Sequence, residues 1–134
     1  MFEEFRVGDT GTATRTFTPE DVETFARLTG DFYPLHLDES FAAQTRFGRP
    51  VVHGMLTAAL LSAANADLLQ LPGGISIEQS IRFLRPVFPG DTITATSEVM
   101  EILGDSRRLR CRLLCRNQND EIVLRGLAIE QKDS

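Results

Sequence analysis

The sequence predicts an α+β fold, a mostly antiparallel sheet wrapped around one long central helix. Three observations point to it. Gly54 to Gln70 is a helix-length run, alanine-rich and apolar nearly all round, which is the pattern of a helix enclosed rather than laid on a surface. The chain after it alternates apolar and polar residues between short Gly, Pro and Asp turns, which reads as a run of strands. The 134 residues, 42% hydrophobic and 25% charged, fit one ordinary globular domain, with no linker, repeat or low-complexity run to divide it.

A strand is expected near Gly11 to Phe17. A helix follows from Pro19 to Thr29. Thr18 can cap it, Pro19 suits the first helical position, and Asp21 stands where a capping box needs an acid. Val22, Phe25, Ala26 and Thr29 share one face, and Gly30 ends the helix as a left-handed cap. Asp31-Phe32-Tyr33-Pro34-Leu35-His36 is read as a non-helical turn, because Pro34 disfavours helical geometry at Tyr33. A short helix is expected from Glu39 to Thr45, then a loop punctuated by Gly48, Pro50 and Gly54. Pro72-Gly73-Gly74 is expected to end the long helix. Four strands remain. Ile77 to Phe83 alternates with Glu78, Ser80 and Arg82. Asp91 to Ile102 is rich in Thr, Ile and Val. A third strand turns Leu109, Cys111, Leu113 and Cys115 to one side and Arg108, Arg110, Arg112 and Arg116 to the other, and Ile122 to Glu130 closes the set.

The net charge of −5 disfavours a broad grip on nucleic acid or an anionic membrane surface, while leaving room for a local basic pocket. Met1 to Thr10 lacks the basic start and apolar run of a signal peptide, and polar residues interrupt the longest apolar stretch, so a cytoplasmic protein with no membrane span is expected. Cys111 and Cys115 are expected to be reduced core residues: four residues of strand span roughly 13 Å, too far for a disulfide.

The two histidines, His36 and His53, both lie in loops beside glycine and proline, where function often sits. A carboxylate at Asp31 and an imidazole at His36 can together hold one water, take its proton and return a proton to carbon. The spacing alone is equally compatible with two surface or structural histidines. Gly54 would supply an N–H at a helix start, a place suited to developing negative charge, or serve only as a turn residue.

Gly30-Asp31-Phe32-Tyr33-Pro34-Leu35-His36-Leu37-Asp38 resembles the hydratase 2 motif of (R)-specific enoyl-CoA hydratases and MaoC-like dehydratases. His53-Gly54-Met55 resembles that family's oxyanion segment, and Phe83-Leu84-Arg85-Pro86-Val87 with Gly90-Asp91 its following strand and turn. The likeness covers nearly the whole chain and is closest to the short, single-domain hydratases that feed polyhydroxyalkanoate synthesis.

The resemblance implies a hot-dog fold over residues 1–134 and a homodimer with active sites near the subunit interface. It implies (R)-specific hydration of trans-2-enoyl-CoA, with Asp31 and His36 as the catalytic pair, Gly54 as oxyanion donor, Ser62 near the reaction centre, and no metal or cofactor. The chain departs from the family where Tyr33 replaces the usual asparagine. Arg85, and secondarily Arg82, are candidates for the phosphates of coenzyme A. Asn65, on the helix face that follows Met55 through Ala58, Ala59, Ser62 and Ala66, would border the acyl tail. A polar wall there favours short chains of about four to six carbons, since each buried methylene gains only ~0.8 kcal/mol. A dehydratase acting on another hydroxyacyl thioester, carried by coenzyme A or a carrier protein, stays open, as does a non-catalytic domain that binds acyl-CoA.

Overall fold

The computed structural model describes residues 4–71 and 73–133. Strand β1 (Thr10–Thr16) leads into α1 (Pro19–Thr29), two short helices α2 (Pro34–Leu37) and α3 (Glu39–Ala43), and the long α4 (Gly54–Leu69). Strands β2 (Gly74–Phe83), β3 (Thr92–Ile102), β4 (Arg108–Arg116) and β5 (Ile122–Lys132) follow. They form one sheet in the order β1-β3-β4-β5-β2, antiparallel at every junction.

The two faces follow from strand periodicity. Leu109, Cys111, Leu113 and Cys115 of β4 are fully buried and meet Ile93, Ala95 and Val99 of β3 and Leu124 and Ala128 of β5. Ala58, Leu61, Ala64 and Leu68 of α4 complete this core. On the outer face, cross-strand partners carry opposite charges: Arg112 reaches Glu98 at 2.6 Å and Arg110 reaches Glu101 at 2.9 Å. Exposed pairs of this kind contribute only ~0–1 kcal/mol each, so the arginine row keeps one face wet and fixes register more than it adds stability. Cys111 and Cys115 are free thiols, and burial pushes them up to about 11 and about 12.

Helix α1 forms as its ends dictate. The Thr18 hydroxyl accepts from the Asp21 N–H, the Asp21 carboxylate accepts from the Thr18 N–H, and Gly30 closes the helix at φ +82°. Its core face is narrower than expected: Val22 and Ala26 are buried, while Thr29 is exposed and donates its hydroxyl to the Phe25 carbonyl.

Two features hold α4 against the sheet. Gly11 of β1 crosses it so closely that a Cβ there would lie 2.3 Å from the Ala64 carbonyl oxygen and the Leu68 nitrogen. Just beyond this crossing, Lys132 of β5 is buried, and its ammonium donates to the carbonyls of Leu69, Gln70 and Leu71. These are acceptors that a helix C-terminus leaves unpaired.

Three expectations need correction. Residues 31–36 are not wholly non-helical, because Pro34 opens the one-turn helix α2. Proline excludes the residue before it from a helix, yet its own φ suits the first helical position. Helix α4 stops at Leu69, ended by Gln70 at a positive φ (+57°) and by Lys132, ahead of Gly73 and Gly74; Pro72 lies outside the described residues. Nor is α4 enclosed within one chain. Met55, Ala59, Ser62, Ala63 and Ala66 form an open stripe along it, and β2 is exposed over nearly its whole length. Among the described residues no helix is long and apolar enough to cross a membrane.

Candidate active site

Three segments meet at the N-terminus of α4. After Gly30 the chain turns at Asp31, whose carboxylate accepts from the Tyr33 N–H at 3.3 Å. One turn of helix then carries Leu35 and His36. This turn is bonded to the strand-like segment before α4, the Val51 N–H donating to the Leu35 carbonyl at 3.2 Å. Val52 in turn donates to the Val87 carbonyl at 2.7 Å, which brings in the chain that follows β2.

Within this frame the two histidines stack. Their rings lie 3.9 Å apart and 24° from parallel. His36 Nδ1 is 2.6 Å from the Val51 carbonyl oxygen. A carbonyl only accepts, so Nδ1 carries the hydrogen, and Nε2 is the nitrogen through which the ring can exchange a proton. His53 Nε2 donates to the Asp31 carbonyl at 3.0 Å. Burial, with His36 nearby, pushes the His53 imidazole below its ordinary value and keeps it neutral. Phe25 covers His53 at 4.8 Å, and Tyr33 sets its ring edge-on to His36 at 6.0 Å.

Donor atoms of Asp31, His36 and His53 lie within 4.8 Å of one another. One nitrogen of each ring is already spent on a carbonyl, and the rings face one another instead of converging on a point. The trio therefore suits holding and moving a proton better than gripping an ion.

His36 also borders a cleft of about 320 Å³ with Gly54, Thr57, Phe83, Arg46 and Arg85. Gly54 is the first residue of α4, where N–H groups have no intrahelical acceptor. The phenyl ring of Phe83 lies close enough that a Cβ on residue 54 would come within 2.9 Å of it.

The structure thus brings Asp31 beside His36, and His36, Gly54 and Arg85 to one cleft. It does not bring Ser62 and Asn65 there: they border a second cavity, further along α4, that shares no lining residue with the cleft. Asn65 is eleven residues beyond Gly54, about 16 Å along the helix axis. It turns inward with Ala58, away from the open stripe of Met55, Ala59, Ser62 and Ala66.

Sequence reasoning gave no separate role to three residues found at the site. His53 is the stacked partner of His36. Thr57 is buried, with a hydroxyl that has no hydrogen-bond partner. Arg46 is the second cation at the cleft, its guanidinium resting on the Phe47 ring at 4.6 Å. The run Arg46-Phe47-Gly48-Arg49-Pro50 ahead of His53-Gly54 was the available signal for Arg46.

The family model described as MaoC like domain matches residues 7–112. The chain is 41% identical over 128 residues to the 3-hydroxybutyryl-CoA dehydratase of Methylorubrum extorquens, covering 96% of this chain and 81% of that protein. It is 44% identical over 103 residues to the (R)-specific enoyl-CoA hydratase of Aeromonas caviae, covering 77% of each. The solved structure of the A. caviae (R)-hydratase involved in PHA biosynthesis superposes with a TM-score of 0.91 at 38% identity, over 98% of this chain and 99% of that one.

Proposed function

We propose that this chain, which belongs to the MaoC-like domain family and has its hot-dog fold, hydrates trans-2-enoyl-CoA reversibly to (R)-3-hydroxyacyl-CoA. The observation that carries the reading is His36 beside Asp31, its Nδ1 held by the Val51 carbonyl and its Nε2 left to exchange a proton, at a cleft that opens on the start of α4.

Asp31 and His36 hold one water. Its oxygen bonds to C3 as a proton passes to the pair, the C2=C3 electrons move toward the thioester, and a proton then reaches C2. Negative charge collects on the thioester oxygen. The Gly54 N–H and the positive end of α4 face that charge, the kind of preorganised donor that is often the largest single contribution to such reactions. His53 keeps His36 in place, fixing its ring by stacking while remaining uncharged itself. Arg85 and Arg46 are suited to the phosphates of coenzyme A. No step calls for a metal or an added cofactor.

The active form is a homodimer. The edge of β2 and the stripe of α4 are both exposed in the single chain, and a second copy across a two-fold axis would cover them. The polyhydroxyalkanoate supply named for one relative, a cytoplasmic location and a single functional domain over residues 1–134 belong to the same reading.

The test is purified protein with crotonyl-CoA, following loss of the conjugated thioester absorbance and oxidising the product with an (R)-specific dehydrogenase. Asp31→Asn and His36→Ala should each fold and lose about 10²–10⁴-fold in kcat, with the double variant little worse than the weaker single. Turnover near wild type in either folded single variant rejects the pair.

A further inference from the structure

The second cavity, about 570 Å³, lies between the C-terminal half of α4 and the β2–β5 pair. Its polar lining is unusual for a place that would receive hydrocarbon. Asn65 is 3% exposed, and neither its amide oxygen nor its amide nitrogen has a hydrogen-bond partner. Glu130 is 1% exposed, and its two carboxylate oxygens share the single hydroxyl of Ser76 at 2.8 Å each. Burial raises the Glu130 carboxyl above its ordinary value, against the Ser76 hydrogen bond. No cation pairs with Glu130 among the described residues: Lys132, two positions along the strand, spends its ammonium on the end of α4. Ser62 stands at the same cavity.

Buried polar groups are ordinarily satisfied. Here an amide with donors and an acceptor to spare, and a carboxyl with acceptor capacity to spare, border one space that is open to a ligand. A hydrocarbon tail would leave both unpaired. A hydroxyl can donate to the carboxyl and accept from the Asn65 amide at once, and a neutral amide can do the same. A second carboxylate would meet Glu130 with like charge.

We propose that this cavity is a polar subsite for a neutral hydrogen-bonding group, a hydroxyl or amide, carried by the acyl part of the substrate away from the thioester. This rests on the enoyl-thioester reading above and narrows it: short unadorned acyl chains stop before the cavity, and longer ones are accepted when they bring a polar group to it.

The experiment compares kcat/KM for paired trans-2-enoyl-CoAs of increasing length, each with a terminal methyl or a terminal hydroxyl, using the full chain. Crotonyl-CoA turnover by wild type tests the underlying reading separately. In wild type the hydroxyl/methyl ratio should rise to about tenfold at the length that reaches the cavity, the size of one good net hydrogen bond. Asn65→Leu should bring that ratio to one or below. Glu130→Gln, which keeps shape and hydrogen bonding, should lower it less, and gives the same readout if Asn65→Leu fails to fold. Active wild type with a ratio near one at every length overturns the subsite and leaves the hydratase reading standing. A ratio that persists unchanged in the folded variants shows that the preference arises elsewhere and also overturns it. No turnover of crotonyl-CoA or any longer enoyl-CoA overturns the reading on which it rests.

Discussion

Gly54→Ala separates stability from catalysis at one atom. The added Cβ would lie 2.9, 3.1 and 3.3 Å from three atoms of the Phe83 ring, so the ring has to retreat by about half an ångström to restore ordinary contact. Within one chain it can do so, because Phe83 is 53% exposed. The clash therefore costs about 1 kcal/mol or less, the scale of a modest rotamer adjustment. Alanine returns up to ~1 kcal/mol through its helix preference over glycine. Net stability should stay within about 1 kcal/mol of wild type, a melting shift of no more than about 4 °C for a chain of this size.

Activity should behave differently. The methyl group and the displaced ring enter the cleft where the thioester oxygen must approach the residue 54 N–H, and a displacement near 1 Å costs on the order of 10²-fold in rate. Adding Phe83→Ala to Gly54→Ala removes the wedged ring but not the methyl group, and should recover only part of that loss. The assays are thermal melting and enoyl-CoA hydration on the same preparations. Wild-type activity in Gly54→Ala would refute substrate contact at this backbone. A melting drop beyond 10 °C would refute the yielding ring.

The buried ammonium of Lys132 serves three carbonyls at the end of α4, so Lys132→Met should lower stability by about 1.5–3 kcal/mol, read as a melting drop; an unchanged melt would mean water caps the helix as well. His53 is held neutral, its folded value below the 6.5 of the free side chain. The unfolded chain therefore binds a proton first as pH falls, and the His53 contribution is complete above about pH 6.5 and is lost below it. Urea midpoints should fall more steeply from pH 7 to pH 5.5 in wild type than in His53→Gln, and equal slopes would contradict this. Cys111 and Cys115, pushed up to about 11 and about 12 behind the sheet, should resist a disulfide reagent at pH 8 in the folded protein and both react in denaturant. Rapid labelling of the native protein would show that the core opens.

What was legible in the sequence was mostly local. Thr18, Pro19, Asp21 and Gly30 set both ends of α1 through contacts within four residues, and the alternation in β4 sorted its two faces without reference to any other strand. Pro34 misled because it has two effects, and only its exclusion of Tyr33 was weighed. Asp31 and His36 were readable as neighbours because only four residues separate them in a turn. The stack of His53 on His36 depends on the Val51–Leu35 bond bridging two loops, and no spacing encodes that. Ser62 was placed near the reaction centre by the resemblance, and Asn65 along the acyl tail by counting helical steps from Met55. Step counting gives direction around a helix, while the rise of 1.5 Å per residue had already carried both residues well down the axis. Thr57 passed unnoticed because a threonine among alanines usually bonds back to its own helix, and here it does not.

The strand order bears on how the molecule is made. β2 leaves the ribosome third of six elements, counting strands and α4 alone, yet its one neighbour in the sheet is β5, the last strand described. While β3 and β4 emerge and pair, β2 waits without a partner strand, its Ile75, Ile77 and Phe83 exposed as they are in the finished chain. An unpaired apolar edge of that kind is where nascent chains associate wrongly. Synthesis stalled before Ile122 should therefore yield chaperone-bound or aggregated chains, whereas release of the full chain lets β5 insert between β4 and β2 and complete the sheet in a single late step.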